Sequence, residues 1–363
     1  MTWGVASLPF APAQVGVSEI SARLVAGAHG YFGAPVLHIE PLGAVPRVFS
    51  TVLRLRVQTA GASIVVFAKR FRPRDGEHDD GLRGRVVREY EQTLLAYEGL
   101  RHAPGLGAVR PVAVFPELHV LVTEEVHGRT LRRLLARGAH LLASRRSVNH
   151  LIQVHERVGH WVREYESLER HEGPVSIAKV RAYVQTRIEG LCTTQGDVFS
   201  AGDCDLWASA FDRFESQLTS ADLRPVRLHA DFNPENIVVD NGRIIAIDFS
   251  EAQRGLRYAD LLHLYLHIER LKHGIRFSPS VGGELQRALM RGYGEPEMDR
   301  TPLFHINILQ QAAAYLSGDQ GPRWARLAPT SSRRRKRRLT FRMLERLSVL
   351  DVAHPSRRTE ERT

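Results

Sequence analysis

Between residues 228 and 250 the chain reads Leu-His-Ala-Asp-Phe-Asn-Pro-Glu-Asn-Ile-Val-Val-Asp-Asn-Gly-Arg-Ile-Ile-Ala-Ile-Asp-Phe-Ser. His229, Asp231 and Asn236 share one loop, and Asp248 ends an Ile-rich run that follows Asp240-Asn241-Gly242. Asn-Gly between alternating apolar residues signals a tight hairpin, which returns Asp248 to the loop. This set of oxygen groups suits transfer of a phosphoryl group to an alcohol. One carboxylate must orient the acceptor hydroxyl and take its proton, and other oxygens must hold the Mg2+ that bridges the phosphates. By type and spacing, Asp231 supplies the base, Asn236 a metal ligand, and Asp248 the main metal ligand.

The pattern His-x-Asp-x-x-x-x-Asn, followed by a strand ending in Ile-Asp, resembles the catalytic core of the aminoglycoside phosphotransferase and choline kinase group, small-molecule kinases related to protein kinases. The resemblance spans roughly residues 37 to 275. It implies that Asp231 is the base, that Asn236 and Asp248 hold magnesium, and that His229 braces the loop. It also implies that Asp260, in Tyr258-Ala259-Asp260-Leu261-Leu262, steadies the loop from the start of the next helix. The cofactors it implies are ATP and Mg2+. The fold it implies is α+β and protein-kinase-like, with a small N-terminal antiparallel sheet lobe and a larger, mainly helical C-terminal lobe.

Such a site needs elements to position it. Residues 35 to 71 favour strands, with alternation over residues 51 to 57, a turn at Thr59-Ala60-Gly61 and a second strand over 63 to 71. In kinase-like folds a strand lysine neutralises the nucleotide phosphates and a helix glutamate holds it. Lys69 is the candidate lysine. The helix predicted over residues 85 to 100 offers Glu89, which fits the resemblance better, or Glu91. Two features depart from the pattern. No Gly-x-Gly-x-x-Gly precedes the strand, so residues 43 to 50 must cover the phosphates. Phe67 shares the face of Lys69, where kinases place a small residue, unless the strand register differs. Two further strands, over 109 to 115 and 119 to 123, lead into a segment resembling an interlobe hinge, where the backbone of Glu124 and Val126 would meet the adenine edge. A helix capped by Thr130 follows.

Ser18 is predicted to cap a short helix over residues 18 to 28. Apolar residues at helical spacing predict helices over 148 to 168, 176 to 191 and 205 to 218, and the resemblance implies a short loop over 250 to 257 followed by a helix over 258 to 272. His150, His155 and His160 are five apart, which keeps no shared face for a metal, so they read as partly exposed helix residues. Ser250 departs from the family pattern, since many members carry a second acid two residues after the metal-binding aspartate, and Glu251 lies one residue further along. The domain boundaries expected are 1–36 as an extension, 37–127 as the nucleotide-binding lobe, 128–352 as the catalytic and acceptor-binding lobe, and 353–363 as a disordered tail.

The formal net charge of +10 belongs largely to the end of the chain, where residues 321 to 363 hold 13 Lys+Arg against 4 Asp+Glu. Arg333 to Arg338 is predicted to begin an amphipathic helix lying on the larger lobe, rather than a nucleic-acid or membrane site. Cys192 and Cys204 fit no disulfide framework or metal knuckle and read as buried small residues. With no secretory pattern in the first 15 residues and no run approaching about 18 apolar residues, a soluble cytoplasmic protein is expected. The expected partner is a small hydroxylated acceptor: a sugar, amino alcohol, nucleoside or aminoglycoside-like molecule. No stable nucleic-acid partner or membrane span is expected.

Two other readings compete. A protein kinase is disfavoured because Asn233 stands where a lysine is usual, and because Asp248 and Asp260 leave too few residues for a peptide-binding activation segment. A non-catalytic kinase-like binding module is disfavoured by the intact Asp231, Asn236 and Asp248.

Overall fold

The computed structural model describes residues 13 to 168, 173 to 274, 276 to 318 and 330 to 350. The chain forms two compact units, Met1–Arg129 with Asn236–Ala252, and Thr130–Glu235 with Gln253–Thr363.

The first unit opens with α1 (Ala13–Ala26) and α2 (Ala28–Phe32). Ser18 lies inside α1 and does not cap it. The buried Ile20 and Leu24, with Val17 beside them, pack on the sheet core, so the apolar stripe carries the helix through the exposed Ser18. Then come β1 (Val36–Pro46), β2 (Ser50–Thr59), β3 (Ser63–Phe71), α3 (Asp79–Leu100), β4 (Leu106–Ala108), β5 (Pro111–Phe115) and β6 (Val120–Glu124). Five strands form an antiparallel sheet in the order β1-β2-β3-β6-β5. Alternation sends Leu53, Leu55 and Val57 into the core and leaves Arg54 and Arg56 in solvent. Helix α3 starts six residues before the predicted 85, because Asp79 and Asp80 in its first turn suit the positive end of the helix dipole.

The chain enters the second unit through β7 (Arg129–Thr130) and α4 (Leu131–Gly138), where the Thr130 side chain accepts the Arg133 amide as the predicted cap. There follow α5 (Arg145–Ser167), α6 (Ile177–Thr194), α7 (Ala201–Glu215) and β8 (Val226–Leu228). It returns to the first unit as the hairpin β9 (Ile237–Asp240) and β10 (Arg243–Ala246), turned by Asn241 and Gly242 at φ 49° and 81°. Strand β10 pairs in parallel with β4, Ile244 opposite Leu106. That pairing draws residues 236–252 into the first unit, although the sequence groups them with the larger lobe.

The second unit is completed by β11 (Gln253–Gly255), which pairs with β8, and by α8 (Ala259–Leu271), α9 (Pro279–Tyr293), α10 (Pro302–Ser317) and α11 (Thr330–Arg346). Helices α5 and α9 touch backbone to backbone: a Cβ on Gly292 would lie 1.7 Å from the Glu156 carbonyl oxygen. His155, expected to be partly exposed, is fully buried on α5. Its Nδ1 lies 2.7 Å from the Leu151 carbonyl oxygen, and burial pushes its pKa down to about 4. Cys192 and Cys204 are free and half-buried rather than buried, and Cys192 Sγ donates to the Ser200 carbonyl. The basic run opens α11 as predicted, and Arg337 pairs with Asp203 of α7. No helix among the described residues is long and apolar enough to cross a membrane. The residues after 352 lie outside the described part of the chain.

Candidate active site

Within the first unit, β3 alternates so that Val66 and Ala68 are buried while Phe67 and Lys69 share the other face. The strand register is therefore the one read from the sequence, and Phe67 does lie on the lysine's side. Lys69 Nζ donates to Glu89 Oε1 at 2.8 Å and Oε2 at 3.2 Å, and to Asp248 Oδ1 at 2.8 Å. Glu91 is exposed, so the helix partner of Lys69 is Glu89.

Burial works against the Lys69 ammonium, but the charges of Glu89 and Asp248 outweigh it and raise its pKa. Burial pushes Glu89 up to about 7, against the pull of Lys69 and with added repulsion from Asp248. One ammonium thus serves two carboxylates.

Asp248 sits at φ 65°, a left-handed conformation that costs a non-glycine residue about 1 kcal/mol and recurs at functional turns. The Asn236 carbonyl accepts the Ile247 amide at 3.0 Å, closing the open end of the hairpin and placing Asn236 and Asp248 at that end. Glu251 pairs with Arg74, which accounts for its carboxylate away from any metal role. The β1–β2 turn closes with Arg47 N donating to Ser50 O at 2.8 Å and carries an exposed Val48 and Phe49 at its tip. At the hinge segment the Glu124 amide donates to Arg110 O, while among the described residues the Val126 amide has no hydrogen-bond partner. Gly128, at φ 122°, lets the chain pass Val239, whose carbonyl oxygen would lie 2.5 Å from a Cβ there.

Within the second unit, Asp260 in the first turn of α8 is buried, and its Oδ2 and Oδ1 accept the consecutive amides of His229 and Ala230 at 2.6 and 2.8 Å. Ala230 is at φ 63°, so the backbone reverses locally between His229 and Asp231. Burial raises the Asp260 pKa, with His229 and the two amides pulling the other way. Asn233 Nδ2 donates to Asp231 Oδ1 at 2.9 Å and fixes the orientation of that carboxylate.

Sequence reasoning missed the wall behind this loop. Trp161 of α5 stacks on Phe232 at 4.8 Å and on Tyr165 at 4.9 Å, and meets His229 edge-on. Glu166, one residue further, accepts the Tyr258 amide at 3.0 Å and the Tyr293 hydroxyl at 2.5 Å, and burial pushes it up to about 8. Tyr258 precedes α8 at φ 71°, so Glu166 holds the strained residue that aims Asp260. A buried apolar face ending in Trp-x-x-x-Tyr-Glu was the available signal.

Among the described residues no three His, Cys, Asp or Glu side chains converge as a metal cage. The donors at the hairpin end are one carboxylate and one amide. That count fits Mg2+, which takes one or two protein oxygens and completes its shell with phosphates and water.

Three solved structures share the fold. A choline kinase from Cryptosporidium parvum Iowa II gives a TM-score of 0.57 at 11% identity over 93% of this chain and 98% of its own. A choline/ethanolamine kinase family protein from Mesorhizobium loti gives 0.53 at 14%, over 92% and 97%. A thermostable mutant of aminoglycoside phosphotransferase APH(4)-Ia, in ternary complex with ADP and hygromycin B, gives 0.53 at 13%, over 88% and 98%. No curated protein matches by sequence. The family described as APH, phosphotransferase enzyme family, matches residues 67–304, more than half of the chain. The chain therefore belongs to the APH phosphotransferase enzyme family and shares the protein-kinase-like fold of these small-molecule kinases.

Proposed function

We propose that the chain moves the γ-phosphoryl group of ATP to a hydroxyl of a small molecule, with Asp231 as the base. The observation that carries this reading is Lys69 held between Glu89 and Asp248, each at 2.8 Å. A strand lysine fixed by a helix carboxylate keeps its charge when buried, and suits the α and β phosphates of a nucleotide. Asn236 and Asp248 would hold Mg2+, which neutralises charge on the phosphates when bound. The unpaired Val126 amide and the Glu124 carbonyl suit the adenine edge. A solved neighbour carrying ADP supports nucleotide use.

Asp231 acts by position. Asp260 and Asn233 fix the loop and the carboxylate before substrate arrives, so the acceptor hydroxyl meets an oriented base. Its proton passes to the Asp231 carboxylate as the oxygen attacks phosphorus. His229, fully buried against Trp161, braces the loop from behind. The acceptor class is a sugar, amino alcohol, nucleoside or aminoglycoside-like molecule. Residues 151 to 250 carry 10 Lys+Arg against 16 Asp+Glu, a modest acidic excess short of the strongly acidic pocket that a polycationic aminoglycoside needs.

Turnover of an acceptor panel by wild type and Asp231→Asn tests the reading. The variant should keep nucleotide-induced stabilisation while kcat falls by several orders of magnitude, since the base works in the transition state. Equal turnover by the two proteins would remove Asp231 from the mechanism.

A further inference from the structure

Where α8, α10 and α11 meet, a pocket of about 70 Å3 is lined by Leu266, Glu269, Arg270, Tyr315, Lys336 and Met343, among others. That is room for a small oxyanion, given a share of about 30 Å3 for one liquid water. Its polar lining has an unbalanced charge. The Arg270 guanidinium stands 4.6 Å and the Lys336 ammonium 4.1 Å from the centre of the same Tyr315 ring. Lys336 also donates to the Tyr315 carbonyl. Among the described residues the Arg270 guanidinium has no hydrogen bond and no ion pair, only the face of the Tyr315 ring. The one carboxylate in the lining, Glu269, is already taken by Lys272 at 2.8 Å, by Gln286 at 3.0 Å and by Arg346.

Two half-buried cations face one ring with no carboxylate paired to either, and the ring face and the Tyr315 carbonyl offset only part of their desolvation. Burial lowers the pKa of Arg270, and burial with repulsion from Arg270 brings Lys336 down to about 8. Arg270 is ten residues along α8 from Asp260, about 15 Å at 1.5 Å per residue, so the pocket is remote from the loop that Asp260 holds.

We propose that this pocket is a second binding site, for a phosphate-type oxyanion held between Arg270 and Lys336. The anion supplies the missing negative charge and fastens α11 onto α8 and α10. Phosphate has the charge and tetrahedral oxygens that both a guanidinium fork and an ammonium accept. A free phosphate and the phosphoryl end of a small monoester share this chemistry.

The test is thermal melting of the full chain without nucleotide, in potassium phosphate, in glycerol phosphate and in potassium chloride at matched ionic strength. Phosphate should raise the wild-type Tm by several degrees over chloride. An equal effect of glycerol phosphate assigns the site to monoesters, and a weaker one to the free ion. The Arg270→Met, Lys336→Met double variant should keep only the small general rise that an excluded salt gives any fold, and so lose most of the wild-type difference between phosphate and chloride, whatever its own Tm in chloride. Should the double variant fail to fold, equilibrium dialysis of Lys336→Gln should show at least tenfold weaker phosphate binding. Asp248→Ala should keep the phosphate effect in full. No phosphate-specific rise in wild type, an equal rise in the double variant, or loss of the effect in Asp248→Ala would each overturn the proposal. The last outcome would place the anion in the nucleotide site instead.

Discussion

Replacing Glu89 with glutamine should flatten part of the pH dependence of stability. Glu89 is 3% exposed and, in the folded chain, titrates near 7 rather than its usual 4.5, with burial as the main cause. A carboxyl whose folded pKa is raised stabilises the fold fully below its unfolded pKa, and that contribution is lost as pH rises through the folded value. The window therefore runs from about 4.5 to about 7. A shift of this size at 1.36 kcal/mol per unit amounts to about 3 kcal/mol across the window, of which about 2 kcal/mol falls between about pH 5 and pH 8. Urea unfolding of wild type and Glu89→Gln at several pH values reads it directly. Glutamine still accepts a hydrogen bond from Lys69 but does not titrate, so the stability gap should change by about 2 kcal/mol across that range, in favour of the variant at high pH. His155 and Glu166 titrate in both proteins, so their contributions cancel in the difference. Parallel profiles for the two proteins would refute the reasoning.

Two further substitutions probe the supports of the site. Asp260→Asn keeps one acceptor for the amides of His229 and Ala230 and turns an NH2 toward the other; chemical denaturation should show a loss of about 2 to 4 kcal/mol, and turnover should fall with it. Gly292→Ala drives a methyl group into the Glu156 carbonyl where α5 meets α9, and should cost about 3 kcal/mol by the same measurement, with normal stability counting against the packing described.

The loop and hairpin could be read from the sequence because their information is local. Asn241-Gly242 demands left-handed residues that suit a two-residue turn, and Asp231 and Asn236 lie on either side of Pro234 in one short segment. The strands of the first sheet were legible from alternation, since Arg54 and Arg56 face water while their neighbours are buried. What escaped the sequence depends on partners far along the chain. The parallel pairing of β10 with β4 joins residues more than a hundred positions apart, and it moves the hairpin into the first unit. Glu166 looks like any polar residue at a helix end until Tyr258 and Tyr293 are placed against it. His155 misled for the related reason that five-residue spacing excludes a shared metal face but does not fix which of the three histidines points inward. The choice between Glu89 and Glu91 needed the phase of α3 against β3, which two residues of helix reverse.

The central claim is that Lys69, Glu89 and Asp248 form a nucleotide site, and thermal melting with and without ATP and Mg2+ tests it most directly. A ligand that binds only the folded chain, at about 100 times its dissociation constant, stabilises it by about 2.7 kcal/mol. Wild type should melt higher with ATP and Mg2+ together, and Asp248→Ala should show no such rise. An unmoved wild type, or a variant that responds equally, would contradict the account.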